Sequence, residues 1–131
     1  MSRPRNDSLF VLLIALMMGG SASALPARMG DVAEAFATCA GRMGAMATRA
    51  RAFDHIEAAE FDRMRGAFND LLAALAVEDD AARYWRNAGW AEMAQLLSEV
   101  DFGIDARRAA QSGDVLARRI RTCRRMVLPG T

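Results

Sequence analysis

The chain has no lysine, one histidine, one tyrosine, two cysteines and three prolines among its 131 residues. Each scarcity narrows what the protein can do. Acid–base and nucleophilic chemistry near neutral pH leans on histidine; the sole histidine, His55, follows Asp54 with no serine or cysteine beside it. Ser98 and Ser112 have no base placed near them in sequence. A cysteine nucleophile needs a free thiolate, and both cysteines have a structural use described below. The expectation is a protein that is not an enzyme. Covalent haem would require C-x-x-C-H, whereas the chain around the second cysteine reads Arg121-Thr122-Cys123-Arg124-Arg125. Non-covalent haem would have to use His55 at a helix end. With lysine absent, arginine does all the cationic work.

What is present begins with a three-part N-terminus. Arg3 and Arg5 are followed by an uncharged apolar run, Leu9 to Met18, then by Gly19-Gly20-Ser21 and Ala22-Ser23-Ala24. Small side chains at Ala22 and Ala24 suit the two pockets of signal peptidase. Residues 1–24 are therefore read as a cleaved signal peptide and residues 25–131 as one helical domain, periplasmic or secreted. The alternative is an uncleaved anchor, but a membrane span needs about 20 apolar residues and this run is shorter. No cysteine lies close enough to be lipidated, and no stable membrane span is expected after cleavage.

Without Arg3, Arg5 and Asp7 the chain keeps 15 of its 17 arginines and 15 of its 16 acids. A zero balance argues against a nucleic-acid surface, which needs a basic footprint. An exported chain with two cysteines reads as having one disulfide, because the compartment is oxidising and small domains need staples. Two free thiols or an intermolecular link are the alternatives.

Alanine is abundant, β-branched residues are scarce, and no strand-like alternation occurs, all of which favour helix. Four helices are expected. The first, Asp31 to Arg51, has Val32, Phe36, Cys39, Met43, Met46 and Ala50 on one stripe, with Asp31 and Glu34 as a capping box. Asp54 and Glu57 form a second such pair, placing a boundary before a helix from Ile56 to Ala76, whose apolar face is Phe61, Met64, Phe68, Leu71, Leu72 and Leu75. One unbroken helix through Asp54 is the alternative.

The third helix, Asp79 to Glu99, puts Trp85, Gly89, Met93, Leu96 and Val100 on one face. Gly89 either admits a close neighbour or ends the helix; the continuous reading is preferred, leaving Trp90 on the flank and partly exposed. Residues Asp101 to Asp105 read as a turn, with Asp105 as N-cap of a last helix, Ala106 to Leu128. That helix has Leu116, Ile120, Cys123 and Val127 inside and Arg118, Arg121 and Arg125 outside, and Pro129-Gly130 stops it. Cys39 and Cys123 thus occupy core positions of the first and last helices, and the fold class is an all-α antiparallel bundle with a bridge between those two.

The arginine stripe has two readings. It is a contact surface, together with Trp90, for a protein partner or envelope component; or it is a face ion-paired to acids such as Glu57, Glu60 and Asp62. Methionine also has two. Met43 and Met46, with Met29, Met64, Met93 and Met126, could offer thioethers to Cu(I), but at helical spacing methionine fills cores. No cofactor and no metal site are expected, a haem or copper carrier using the bundle interior being the alternative. A bundle this rich in methionine and alanine is compatible with self-association.

The segment Phe36-Ala37-Thr38-Cys39-Ala40-Gly41-Arg42-Met43, the Asp101-Phe102-Gly103 turn and the closing Cys123-Arg124-Arg125-Met126-Val127-Leu128 resemble small exported proteins of GC-rich Gram-negative bacteria. Those proteins have a signal peptide, a Phe-x-x-Cys-Ala-Gly segment on a first helix and a second cysteine on the last. The resemblance implies that the two cysteines belong to the design of the fold; it carries no functional residues.

Overall fold

The computed structural model describes residues 24–128. By its contacts the chain falls into two units, Met1–Asp31 and Val32–Thr131, and the packing described here is that of the second. Four helices make up the described residues: α1 (Ala24–Ala52), α2 (Ala58–Ala74), α3 (Asp79–Phe102) and α4 (Ala106–Val127). No strand occurs among them. The leader expected over residues 1–24 lies, but for Ala24, outside the described residues.

The helix directions alternate. Arg51 reaches Asp62 and the Phe36 and Phe68 rings lie 6.0 Å apart, so α1 and α2 run oppositely. Glu92 meets Arg119 at 2.8 Å and Glu99 meets Arg108 at 3.8 Å, so α3 and α4 also run oppositely. Helices α1 and α3 run in the same direction: Thr38 lies against Gly89, Gly41 against Arg86 and Trp90, and Arg49 against Asp101.

The single apolar stripe expected on α1 is too narrow a description. Besides Cys39, Met43, Met46 and Ala50, the buried residues include Ala33, Ala37, Ala40, Ala45 and Ala47, with Gly41 and Gly44 between them. Buried positions thus cover most of the circumference of α1 and leave a polar strip with Glu34, Arg42 and Arg49; a helix buried this widely is one flanked by several neighbours, and α1 is the central helix. Val32, placed on the stripe, is 42% exposed.

Gly89 does not end α3. It is buried mid-helix, where an added Cβ would run into the carbonyl of Thr38, while a Cβ at Gly41 would run into the backbone of Arg86 and Trp90. The two glycines lie at one crossing, where the backbones of α1 and α3 touch. Around it the core is filled by Phe68, Met43, Met93 and the two cysteines, all essentially inaccessible to solvent.

The cysteines form the expected bridge, Cys39 to Cys123, with 5.6 Å between their Cα atoms and 84 residues of separation. It joins the central helix to the last one, and the Met126 thioether sulfur lies 4.0 Å from the Cys39 sulfur.

Several boundaries differ from the sequence reading. Helix α1 begins seven residues before Asp31, so Asp31 and Glu34 lie inside it, both exposed, and cap nothing. Proline is tolerated in a first helical turn, which lets Pro26 fall there. Asp54 closes α1 instead of opening α2. It takes φ 54°, its N–H donates to the Arg51 carbonyl, and the His55 N–H donates to the Ala50 carbonyl at 2.8 Å. This is the left-handed Schellman ending, in which asparagine or aspartate substitutes for glycine at lowest cost. Glu57 itself becomes the N-cap of α2, with no side-chain capping bond. Helix α2 ends two residues before Ala76, which is left-handed at φ 50°. Helix α3 runs on to Phe102, so Asp101 and Phe102 are helical and the turn shrinks to Gly103–Asp105. Asp105 is the N-cap of α4, its carboxylate accepting from the Arg107 and Arg108 N–H groups at 2.9 and 3.1 Å.

Two predictions follow from this packing. Closing a loop of this length contributes about 4–5 kcal/mol in the chain-entropy model, so a Cys39→Ala/Cys123→Ala chain should melt on the order of 15 °C or more below the bridged protein. Dithiothreitol should do the same once the bridge is reduced in denaturant; coincident melting curves would remove the staple. At the crossing, Gly41→Ala or Gly89→Ala should cost about 3 kcal/mol by overpacking, although alanine is the better helix former. Gly66→Ala, in α2 with open space around it, should instead gain about 0.5–1 kcal/mol. Chemical denaturation of the three variants distinguishes backbone contact from mere propensity.

Candidate functional site

Two exposed features stand out on Val32–Leu128, one apolar and one basic. The first is a groove of about 300 Å³ between the C-terminal halves of α1 and α3, lined among others by Ala45, Phe53, Trp90, Ala94, Leu97 and Phe102. Its three aromatic rings are 49%, 46% and 73% exposed at Phe53, Trp90 and Phe102 respectively. A bidentate ion pair ties its two walls: the Arg49 Nε and Nη2 donate to the two Asp101 carboxylate oxygens at 2.7 and 2.6 Å. The same guanidinium lies 5.5 Å from the Phe53 ring centroid. Hydrogen bonding from Arg49 holds the Asp101 carboxyl below the ordinary carboxylate range, against a smaller opposing effect of burial. The Arg49 pKa is raised, chiefly by the same hydrogen bond.

The second feature is the outer face of α4. Arg107, Gln111, Asp114, Arg118, Arg121 and Arg125 recur at helical spacing and all are exposed. None of the four arginines makes an ion pair or side-chain hydrogen bond. Elsewhere arginine is engaged. Arg42 and Arg119 converge on Glu92, at 2.6 and 2.8 Å; Arg49 holds Asp101; Arg51 and Arg65 share Asp62; and Arg124 holds Glu60 at 2.9 Å. Arg86 bonds the Asn69 side chain. Of the remaining arginines, Arg63 of α2 is exposed and also without an ion pair. It borders the cleft where Val127 of α4 and the following Leu128 meet Glu60, Met64 and Ala67 of α2.

The structure therefore separates the residues that the sequence reading grouped. Trp90 belongs to the α1–α3 groove, which no α4 residue lines, whereas Arg118, Arg121 and Arg125 face outward from α4. The ion-paired reading of the stripe is not what forms: Glu60 and Asp62 are taken by Arg124, Arg51 and Arg65. Arg119 and Arg124 lie a step around the helix from the stripe, and they, with Arg108, are the α4 arginines that pair across helices. Phe53 and Phe102 were not singled out from sequence, since they stand beside presumed turns with only their aromaticity to mark them.

The methionines at helical spacing are core. Met43, Met46, Met64 and Met93 are buried in one cluster with Cys39, Phe61, Phe68 and Cys123. Among the described residues no group of three or more His, Cys, Asp or Glu is placed to hold a metal ion. His55 is exposed in the α1–α2 turn, its ring 6.4 Å from that of Phe53. Within the described residues no helix is long and apolar enough to cross a membrane.

No protein-family model matches the chain, and no curated protein or solved structure is significantly similar to it.

The Arg49–Asp101 tie has a pH signature. A carboxyl whose folded-state pKa is lowered contributes stability above its ordinary value, and that contribution is lost as pH falls through the lowered one. Below about pH 4 the wild-type protein should lose stability through this pair, and Asp101→Asn should be less stable at pH 7 but flatter on the acid limb. Parallel denaturation midpoints of the two proteins from pH 7 down to about pH 2 would show the acid sensitivity to lie elsewhere.

Proposed function

We propose that the protein is an exported, non-enzymatic binding or accessory protein of the periplasm or extracellular space, which attaches to an envelope component through the outer face of α4. The observation that carries the reading is the distribution of its arginines. Arg107, Arg118, Arg121 and Arg125 are exposed without carboxylate partners, while eight arginines on other faces reach one at 3.8 Å or less. Like charges three and four residues apart on a helix repel. A chain with as many acids as arginines beyond its leader has the means to neutralise this face, yet it places only Asp114 there.

Export is supported by the three-part N-terminus and by the bridge, since disulfides persist in oxidising compartments. The absence of a catalytic role is supported by the fate of the reactive side chains: both cysteines are in the bridge, and His55 stands exposed in a turn.

Cell fractionation tests the proposal. The wild-type protein should sediment with the envelope and be released at about 1 M salt, where screening acts over only about 3 Å. Arg118→Glu/Arg121→Glu/Arg125→Glu, with its melting temperature checked against wild type, should move to the soluble fraction. Unchanged fractionation of that variant would eliminate α4 as the contact surface.

A further inference from the structure

We infer that the envelope component met by the outer face of α4 is an anionic lipid bilayer surface. This rests on the reading of α4 as the contact face and adds the chemistry of what it touches. The first argument is shape. Arg118, Arg121 and Arg125 stand on a convex helical ridge and line none of the clefts described above, so nothing there encloses a single phosphate or carboxylate. From Arg118 to Arg125 the row covers about 10 Å, and from Arg107 about 27 Å, at 1.5 Å per residue. A plane can touch such a row along its whole length, and an anionic bilayer supplies a plane of negative charge.

Charge complementarity supplies the second argument. Asp114 interrupts the row, but Arg63 of α2 adds a cation beside its C-terminal end, where it borders the same cleft as Val127 and Leu128. The third argument is the apolar content of that end. Leu128, the residue just past the end of α4, is 43% exposed and lines the α2–α4 cleft beside Arg63. Basic side chains with apolar ones beside them at one end match the two contributions to interfacial binding, attraction to anionic headgroups and seating of apolar groups at the acyl boundary.

The test is sedimentation of the disulfide-bonded protein, as recovered from cells, with vesicles of phosphatidylcholine alone or mixed with phosphatidylglycerol. Each arginine near an anionic surface contributes roughly a fivefold gain in partitioning. Binding should therefore require phosphatidylglycerol, and Arg118→Gln/Arg121→Gln/Arg125→Gln should weaken it about a hundredfold, with charge reversal to Glu weakening it further. The Gln variant guards against misfolding by repulsion, and Arg83→Gln, on α3 away from this face, should bind as wild type does. Equal binding to neutral and anionic vesicles, or binding indifferent to the α4 substitutions, would overturn the lipid assignment. If the protein ignores both vesicles yet sediments with the envelope in a manner that needs Arg118, Arg121 and Arg125, the lipid assignment fails and α4 remains the contact face. If the substitutions change neither, both fall.

Discussion

At Gly41 and Gly89 the backbones of α1 and α3 come into direct contact, and that contact decides where the other two helices can go. In a regular four-helix bundle, parallel helices sit across a diagonal and leave an axis between them. Here the diagonal is closed, since neither glycine has room for a Cβ. Helix α1 moves to the centre, and α2 and α4 pack on the sides that α3 leaves. Small residues make this possible: Ala33, Ala37, Ala40, Ala45 and Ala47 are buried on several faces of one helix, each letting a neighbour approach. Bulk is left to Phe68, Met43 and Met93, which fill the spaces between helices. The space a bundle uses to hold a cofactor is occupied by these side chains and the bridge.

Charge is arranged around that centre with similar economy. Glu92 of α3 accepts from Arg42 of α1 and Arg119 of α4, so one carboxylate links three helices. Asp62 serves Arg51 and Arg65, and Glu60 holds Arg124. The planar, many-donor guanidinium suits such sharing and the bidentate grip on Asp101 in a way the lysine ammonium does not. Partly exposed pairs contribute modestly to stability; their larger effect is to fix register. They also engage Glu60 and Asp62, two of the acids that might have reached the outer face of α4.

Much of this was legible in the residues. The stripes of α2 and α4, the inward cysteines, the continuity of α3 through Gly89 and the Asp105 cap all follow from spacing and residue type. What escaped did so for identifiable physical reasons. Alanine is compatible with either a buried or a solvated face, so the wide burial of α1 is hidden behind the single stripe of its larger side chains. Asp54 has the right chemistry for an N-cap and also for a left-handed C-terminal position; which one it takes depends on where α1 stops. Periodicity assigns Arg118, Arg119, Arg121, Arg124 and Arg125 to directions around α4, but only the fold says which directions meet a carboxylate. The aromatic groove draws Phe53, Trp90 and Phe102 from distant parts of the chain, and no local pattern relates them.

The bridge and the basic face are connected through the geometry of α4. Cys123 lies two residues from both Arg121 and Arg125, and at 3.6 residues per turn two residues correspond to a rotation of about 200°. A covalent link at Cys123 to the central helix therefore fixes the rotation of α4 and turns those arginines outward. Without it, α4 would be held by half-buried Leu116, Ile120 and Val127 and by the partly exposed pairs of Arg119 and Arg124. With it, the row is presented by a helix that cannot roll, and a preorganised surface loses less freedom on binding than a mobile one. The same bond that stabilises the fold thereby determines which side of α4 faces outward.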